Sequence, residues 1–135
     1  MSETSEHESK ELAPLSEVQM EIMNAVWDGG EVTLGDIWRA LPPRRRVARN
    51  TVQTLLTRLV DKGWLRTRAE GKIFHYRAAY PREATLRQMA RRFVETAFRG
   101  STEGLVLALL EDQPLAQDEA ERIRAMIEKA ERNTD

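Results

Sequence analysis

The sequence predicts a mainly helical protein in which three helices and a β-hairpin precede three further helices. Three observations point there. Apolar residues recur at helical spacing through most of the chain after Leu15. Residues 64–77 alternate instead, around a Glu70-Gly71 turn signal. Gly29-Gly30, Pro42-Pro43 and Gly63 punctuate the first half where short elements would have to stop.

Each element follows from its residues. Ser16 with Gln19 three positions on is a capping box, and Leu15 before it is a candidate hydrophobic staple. Met20, Ile22, Met23, Val26 and Trp27 supply the apolar stripe of this first helix, which Gly29-Gly30 ends. Val32 suits a very short strand. Thr33 then caps a second helix over 34–41, with Asp36 as its reciprocal partner and Ile37 and Leu41 facing inward. Pro42-Pro43 stops it. The third helix spans 49–62, where Val52, Leu55, Leu56, Leu59 and Val60 mark one buried face.

A two-residue turn at Glu70-Gly71 pairs Leu65 with Tyr76 and Thr67 with Phe74. It puts Leu65, Phe74 and Tyr76 on one face, and Arg66, Arg68, Ile73 and His75 on the other. Pro81 opens a fourth helix running to Gly100. A fifth, over 105–110, is apolar all round. The last, over 117–132, carries the thin stripe Ala120, Ile123, Ile127 and Ala130. Helix, short helix, helix, hairpin is the order of a winged helix-turn-helix. The expected organisation is an acidic disordered tail (1–13), a winged-helix domain (14–80) and a three-helix dimerisation domain (81–135). Some fifty residues of helix with so much apolar surface cannot bury it alone. A two-fold homodimer through Leu86, Met89, Phe93, Phe98, Leu105, Leu109, Ile123 and Ile127 is the simplest remedy.

Composition narrows the chemistry. The 135 residues are 41% hydrophobic and 32% charged, enough for a packed core under a charged surface. No apolar run approaches the ~20 residues of a membrane-spanning helix. The polar, acidic start does not read as a secretory signal, and a cytoplasmic location is expected. Cysteine is absent, which removes disulfides, thiol catalysis and thiolate metal sites. His7 in the tail and His75 on a strand lack metal-ligand partners at any recognised spacing, so neither metal nor cofactor is expected. No nucleophile–base pair, phosphate loop or paired carboxylates suggest an enzyme.

The formal net charge of −1 conceals an uneven distribution. Between residues 39 and 77 stand Arg39, Arg44, Arg45, Arg46, Arg49, Arg58, Lys62, Arg66, Arg68, Lys72 and Arg77, opposed only by Asp61 and Glu70. Such a block implies a polyanionic partner. Opposite its core face the third helix shows Asn50, Thr54, Thr57 and Arg58, flanked by Thr51 and Gln53. Short hydrogen-bonding side chains let a helix approach base edges, and an Arg reaches guanine or phosphate. Reading falls mainly to the N-terminal positions Arg49, Asn50, Thr51 and Thr54. Arg44, Arg45 and Arg46 would grip phosphates, as would Arg68 and Lys72 on the hairpin, together with His75. Binding to duplex DNA should weaken with salt. Taken alone, the arginine run is as easily a solvated loop; Trp27, Trp38 and Trp64 read as packing rather than base-stacking groups.

Leu15-Ser16-Glu17, Ile22-Met23-Asn24-Ala25-Val26-Trp27 and the run from Asn50-Thr51-Val52-Gln53-Thr54-Leu55-Leu56 through Thr57-Arg58-Leu59-Val60-Asp61-Lys62-Gly63 closely resemble the penicillinase-repressor family, which includes repressors of beta-lactam resistance genes. The similarity extends over about residues 15–132. It implies a homodimeric transcriptional repressor on a palindromic operator. In antibiotic-responsive members a membrane sensor-protease triggers cleavage in the C-terminal helices; at the similar position Ala108-Leu109 replaces the family's Asn-Phe. A copper-responsive branch uses C-terminal cysteines, which this chain lacks. Val47-Ala48 stands where members often carry Trp-Ser before the third helix, so either a cap worth about 1 kcal/mol is lost or Asn50 takes it over. The alternative is a winged helix that docks an acidic protein partner.

Overall fold

A computed structural model describes residues 14–133. The expected acidic tail, with His7, lies outside the described residues. Contacts divide the chain into two compact units, one ending at Gln88 and the other beginning at Met89.

In the first unit, helix α1 (Glu17–Gly29) starts from the expected capping box. The Gln19 amide N–H donates to Ser16 Oγ at 3.2 Å, and the Ser16 N–H donates to Gln19 Oε1 at 2.9 Å. Two first-turn donors that the helix cannot satisfy are thereby paired. Ile22, Met23 and Val26 are the buried stripe, and Leu15 packs against the same core. A Cβ on Gly29 would lie 2.3 Å from Val32 Cγ1, so glycine there lets strand β1 (Glu31–Val32) fold back tightly. Helix α2 (Leu34–Ala40) repeats the capping device with Thr33 and Asp36, at 3.2 and 3.1 Å. The Asp36 carboxyl is held below its ordinary value by the Thr33 backbone N–H first, then by the Thr33 hydroxyl and Arg39.

A 3-10 turn (Pro43–Arg45) leads to helix α3 (Arg49–Asp61). Val52, Leu56 and Leu59 are fully buried, while Leu55 and Val60 pack at the margin. Ala48 is the N-cap, in extended backbone and without a side-chain cap bond, so Asn50 does not take over the cap. The helix ends on Gly63, whose φ is 88°. The Trp64 N–H reaches the Leu59 carbonyl (2.9 Å) and the Gly63 N–H that of Val60 (3.1 Å), the Schellman pattern that satisfies terminal carbonyls. Trp64 and Leu65, both buried, then pin the hairpin to the core.

Strands β2 (Leu65–Glu70) and β3 (Ile73–Ala78) pair antiparallel, and β1 pairs with the other edge of β3. The register differs from expectation by two residues. Leu65 opposes Ala78, Thr67 opposes Tyr76 and Glu70 opposes Ile73, so Gly71 and Lys72 form the turn. A Glu70-Gly71 turn of the I′ type would require positive φ at Glu70; the observed turn places only Gly71 there, at 62°. An even shift leaves each side chain on its expected face. Tyr76 is buried, whereas Phe74 is 52% exposed because the hairpin tip extends past the core.

Helix α4 (Arg82–Ala97) begins after Pro81 and contains the division between the units. Its start is fixed to α1: Arg82 pairs with Asp28 at 2.6 Å and donates to the Asn24 carbonyl, while the Trp27 indole N–H donates to the Tyr80 carbonyl at 3.0 Å. The second unit comprises the rest of α4, helix α5 (Thr102–Asp112) capped by Ser101, and helix α6 (Gln117–Arg132). Phe93 and Phe98 meet edge to face, 5.7 Å between centroids. No residue from Met89 to Asn133 is fully buried.

Candidate nucleic-acid interface

The two sides of α3 part cleanly. Val52, Leu56 and Leu59 fill the core, and Arg49, Asn50, Thr51, Gln53, Thr54, Thr57 and Arg58 are all exposed. Asn50, Thr54 and Arg58 recur at four-residue steps, so they lie along one side of the helix. Thr54 Oγ1 donates to the Asn50 carbonyl at 3.1 Å, and Thr57 Oγ1 to the Gln53 carbonyl at 3.0 Å. With its proton committed to the helix, each hydroxyl retains acceptor capacity. An acceptor beside a methyl group suits the amino edge of adenine or cytosine and the methyl of thymine.

The expected phosphate-gripping arginines are not equivalent. Arg44 is exposed in the 3-10 turn. Arg45 is ion-paired with Glu17 at the start of α1. Arg46 donates to the Arg39 and Leu41 carbonyls at 3.1 and 3.2 Å, closing the C-terminal end of α2. Its guanidinium also lies 4.9 Å from the Trp38 ring centroid, as does that of Arg49. The Trp38 indole N–H donates to the Val47 carbonyl at 2.7 Å. Trp38 therefore holds the residues leading into α3 and supports two arginines through its π face. Sequence reasoning treated Trp38 as packing alone; separations of eight and eleven residues carry no local signal for this arrangement.

On the hairpin, Arg68 and Lys72 are exposed. Arg68 is engaged by Glu31 from β1, through Nε at 3.2 Å and Nη2 at 2.6 Å. That contact lowers the Glu31 carboxyl below its ordinary value and raises the Arg68 guanidinium. His75 Nε2 lies 3.1 Å from Glu70 Oε2. Glu31 does not figure in the sequence reading of this surface, where Glu70 counts only as an opposing charge and a turn residue. Among the described residues no group of three or more His, Cys, Asp or Glu is arranged to hold a metal, and no helix is long and apolar enough to cross a membrane.

In the second unit the expected dimerisation residues separate by exposure. Phe93 (54%), Leu109 (62%) and Ile127 (52%) stand out to solvent, as does Leu86 at the end of the first unit. Met89, Phe98, Leu105 and Ile123 are half-buried. Ala108 and Leu109 lie within α5.

The sequence pattern of the penicillinase-repressor family matches residues 15–129. The methicillin resistance regulatory protein MecI of Mammaliicoccus sciuri is 28% identical over 115 residues, spanning 85% of this chain and 94% of that protein. The penicillinase repressor of Bacillus licheniformis is 23% identical over 120 residues, 89% of this chain and 94% of its own length. Among solved structures, a single-residue mutant of MarR from E. coli shares the fold, with a TM-score of 0.51 at 16% identity over 86% of this chain and 77% of that one. A hairpin wing behind three helices and a polar α3 face on a cationic surface agree with the family match. This chain belongs to the penicillinase-repressor family of DNA-binding transcriptional repressors.

Proposed function

We propose that the protein represses transcription as a two-fold homodimer on a palindromic operator, with α3 of each protomer in the major groove. The observation that carries this reading is the exposed polar side of α3, whose opposite side is sealed into the core. Asn50 and Thr54 read base edges, and Arg58 reaches guanine or phosphate. Arg44 and Arg45 in the turn, and Arg68 and Lys72 on the wing, set the register on the backbone. We assign DNA binding to residues 14–80 and dimerisation to 81–135; the exposed Phe93, Leu109 and Ile127 need a partner, and a second copy supplies the same apolar face. Such a repressor works in the cytoplasm. A sensor-protease that cut between Ala108 and Leu109 would sever α5, but this pair replaces the family's Asn-Phe, which speaks against proteolysis as the release route.

The test is a gel-shift titration against the DNA upstream of the gene and against scrambled duplexes. Asn50→Ala and Thr54→Ala should narrow the gap between the two, whereas Arg44→Ala should weaken both alike. Unchanged affinity in all three variants would refute this reading face. Failure of the parent protein to bind any duplex at low salt would point instead to an acidic protein partner.

A further inference from the structure

Two carboxylates from outside the basic block reach into it, Glu17 onto Arg45 and Glu31 onto Arg68. The second is the better defined. The sheet order β1-β3-β2 sets Glu31 and Arg68 on strands either side of β3, and Glu31 opposes Arg77, whose neighbour on β2 is Arg66. Glu31 thus stands in a row of cations on the outer face of the wing. Its Oε1 takes both Nε and Nη2 of Arg68, the edge of the guanidinium that would otherwise grip a phosphate with two parallel bonds. Both side chains remain well exposed, at 50% for Arg68 and 38% for Glu31. Held in the open, the pair is weak enough for a phosphate to displace.

We propose that Glu31 acts as a built-in phosphate mimic: it occupies the wing arginine Arg68 in the free protein and so lowers affinity for DNA of any sequence. This rests on the wing touching DNA, as proposed above. The consequence is weaker binding overall: competition at a backbone-contacting residue subtracts equally from every complex, so the difference between operator and random DNA stays with the base contacts on α3.

Full-length protein is titrated by fluorescence anisotropy against a labelled random-sequence duplex of about 30 base pairs at about 50 mM salt. The variants are Glu31→Gln, Arg68→Ala and the double variant, each checked by thermal melting to be folded at the assay temperature. Glu31→Gln should bind roughly two- to fivefold tighter than the parent, the range expected for release of an exposed pair. The double variant should fall back to Arg68→Ala, because the gain runs through Arg68. Three results overturn the inference: a Glu31→Gln affinity equal to the parent's, a weaker one, or a gain that persists with Arg68 removed, which would be general charge repulsion. If the double variant matches Glu31→Gln, Arg68 makes no DNA contact and the wing reading falls as well. If it is weaker than Glu31→Gln while Glu31→Gln itself shows no gain, the wing reading stands and the mimic alone fails.

Discussion

The indole of Trp38, on α2, donates its N–H to the carbonyl of Val47, the residue before the N-cap of α3, over 2.7 Å. A buried or half-buried indole donor satisfied in this way fixes backbone as well as ring. It sets where α3 begins. Trp38→Phe should cost about 1 kcal/mol through the lost bond and weaken binding to operator and random duplex by similar factors, since the segment that carries Arg44 and Arg45 into α3 is held less firmly. Urea unfolding and gel shift on one preparation would check both. A loss confined to operator would show that Trp38 governs the reading residues rather than the arginines.

Ala48 has the extended backbone of an N-cap residue, φ −62° and ψ 150°, but no side-chain acceptor. Ala48→Ser supplies one for the first-turn amides, of which Thr51 N–H otherwise reaches only the Ala48 carbonyl, at 3.0 Å. Stability should rise by about 1 kcal/mol, read as a higher urea midpoint at unchanged slope. An unaltered midpoint would mean that those amides are already satisfied in solution.

Asp36 supplies a pH-dependent contribution. Its folded carboxyl is depressed by the Thr33 amide and hydroxyl and by Arg39. A depressed carboxyl stabilises above its unfolded value and loses that contribution as pH falls through the folded one. Asp36→Asn should therefore cost stability at about pH 7 and progressively less below about pH 4, where the parent's carboxyl itself becomes protonated. Thermal melts of both proteins across that interval would decide it. A difference independent of pH would remove the charge from the account.

Leu109 is 62% exposed within the apolar middle of α5. If a second copy covers it, Leu109→Asp should shift sedimentation from dimer to monomer at micromolar concentration and reduce affinity for a two-half-site operator far more than for a single half-site. A parent protein that sediments as a monomer at all concentrations would contradict the assembly.

Local devices were legible in the sequence because they depend on neighbours. The Ser16–Gln19 and Thr33–Asp36 boxes, the stop at Gly63 and the buried set Val52, Leu56 and Leu59 appear as the spacing predicts. The polar side of α3 followed from the same periodicity. The hairpin register did not, because Glu70-Gly71 and Gly71-Lys72 both contain the glycine a tight turn needs; backbone sterics at the first central residue decide between them. Contacts between distant segments were not legible at all. Glu31 meets Arg68 across 37 positions, and Glu17 meets Arg45 across 28, only because the fold brings them together.

Arg46 gives only its Nη2 to the carbonyls of Arg39 and Leu41 and keeps its charge over the ring of Trp38. Its neighbour in the run of three arginines, Arg45, is instead paired with the carboxylate of Glu17. The number of counter-ions released when this protein settles on a duplex should accordingly fall short of its arginine tally, and a slope of log affinity against log ionic strength counted from composition would be too steep.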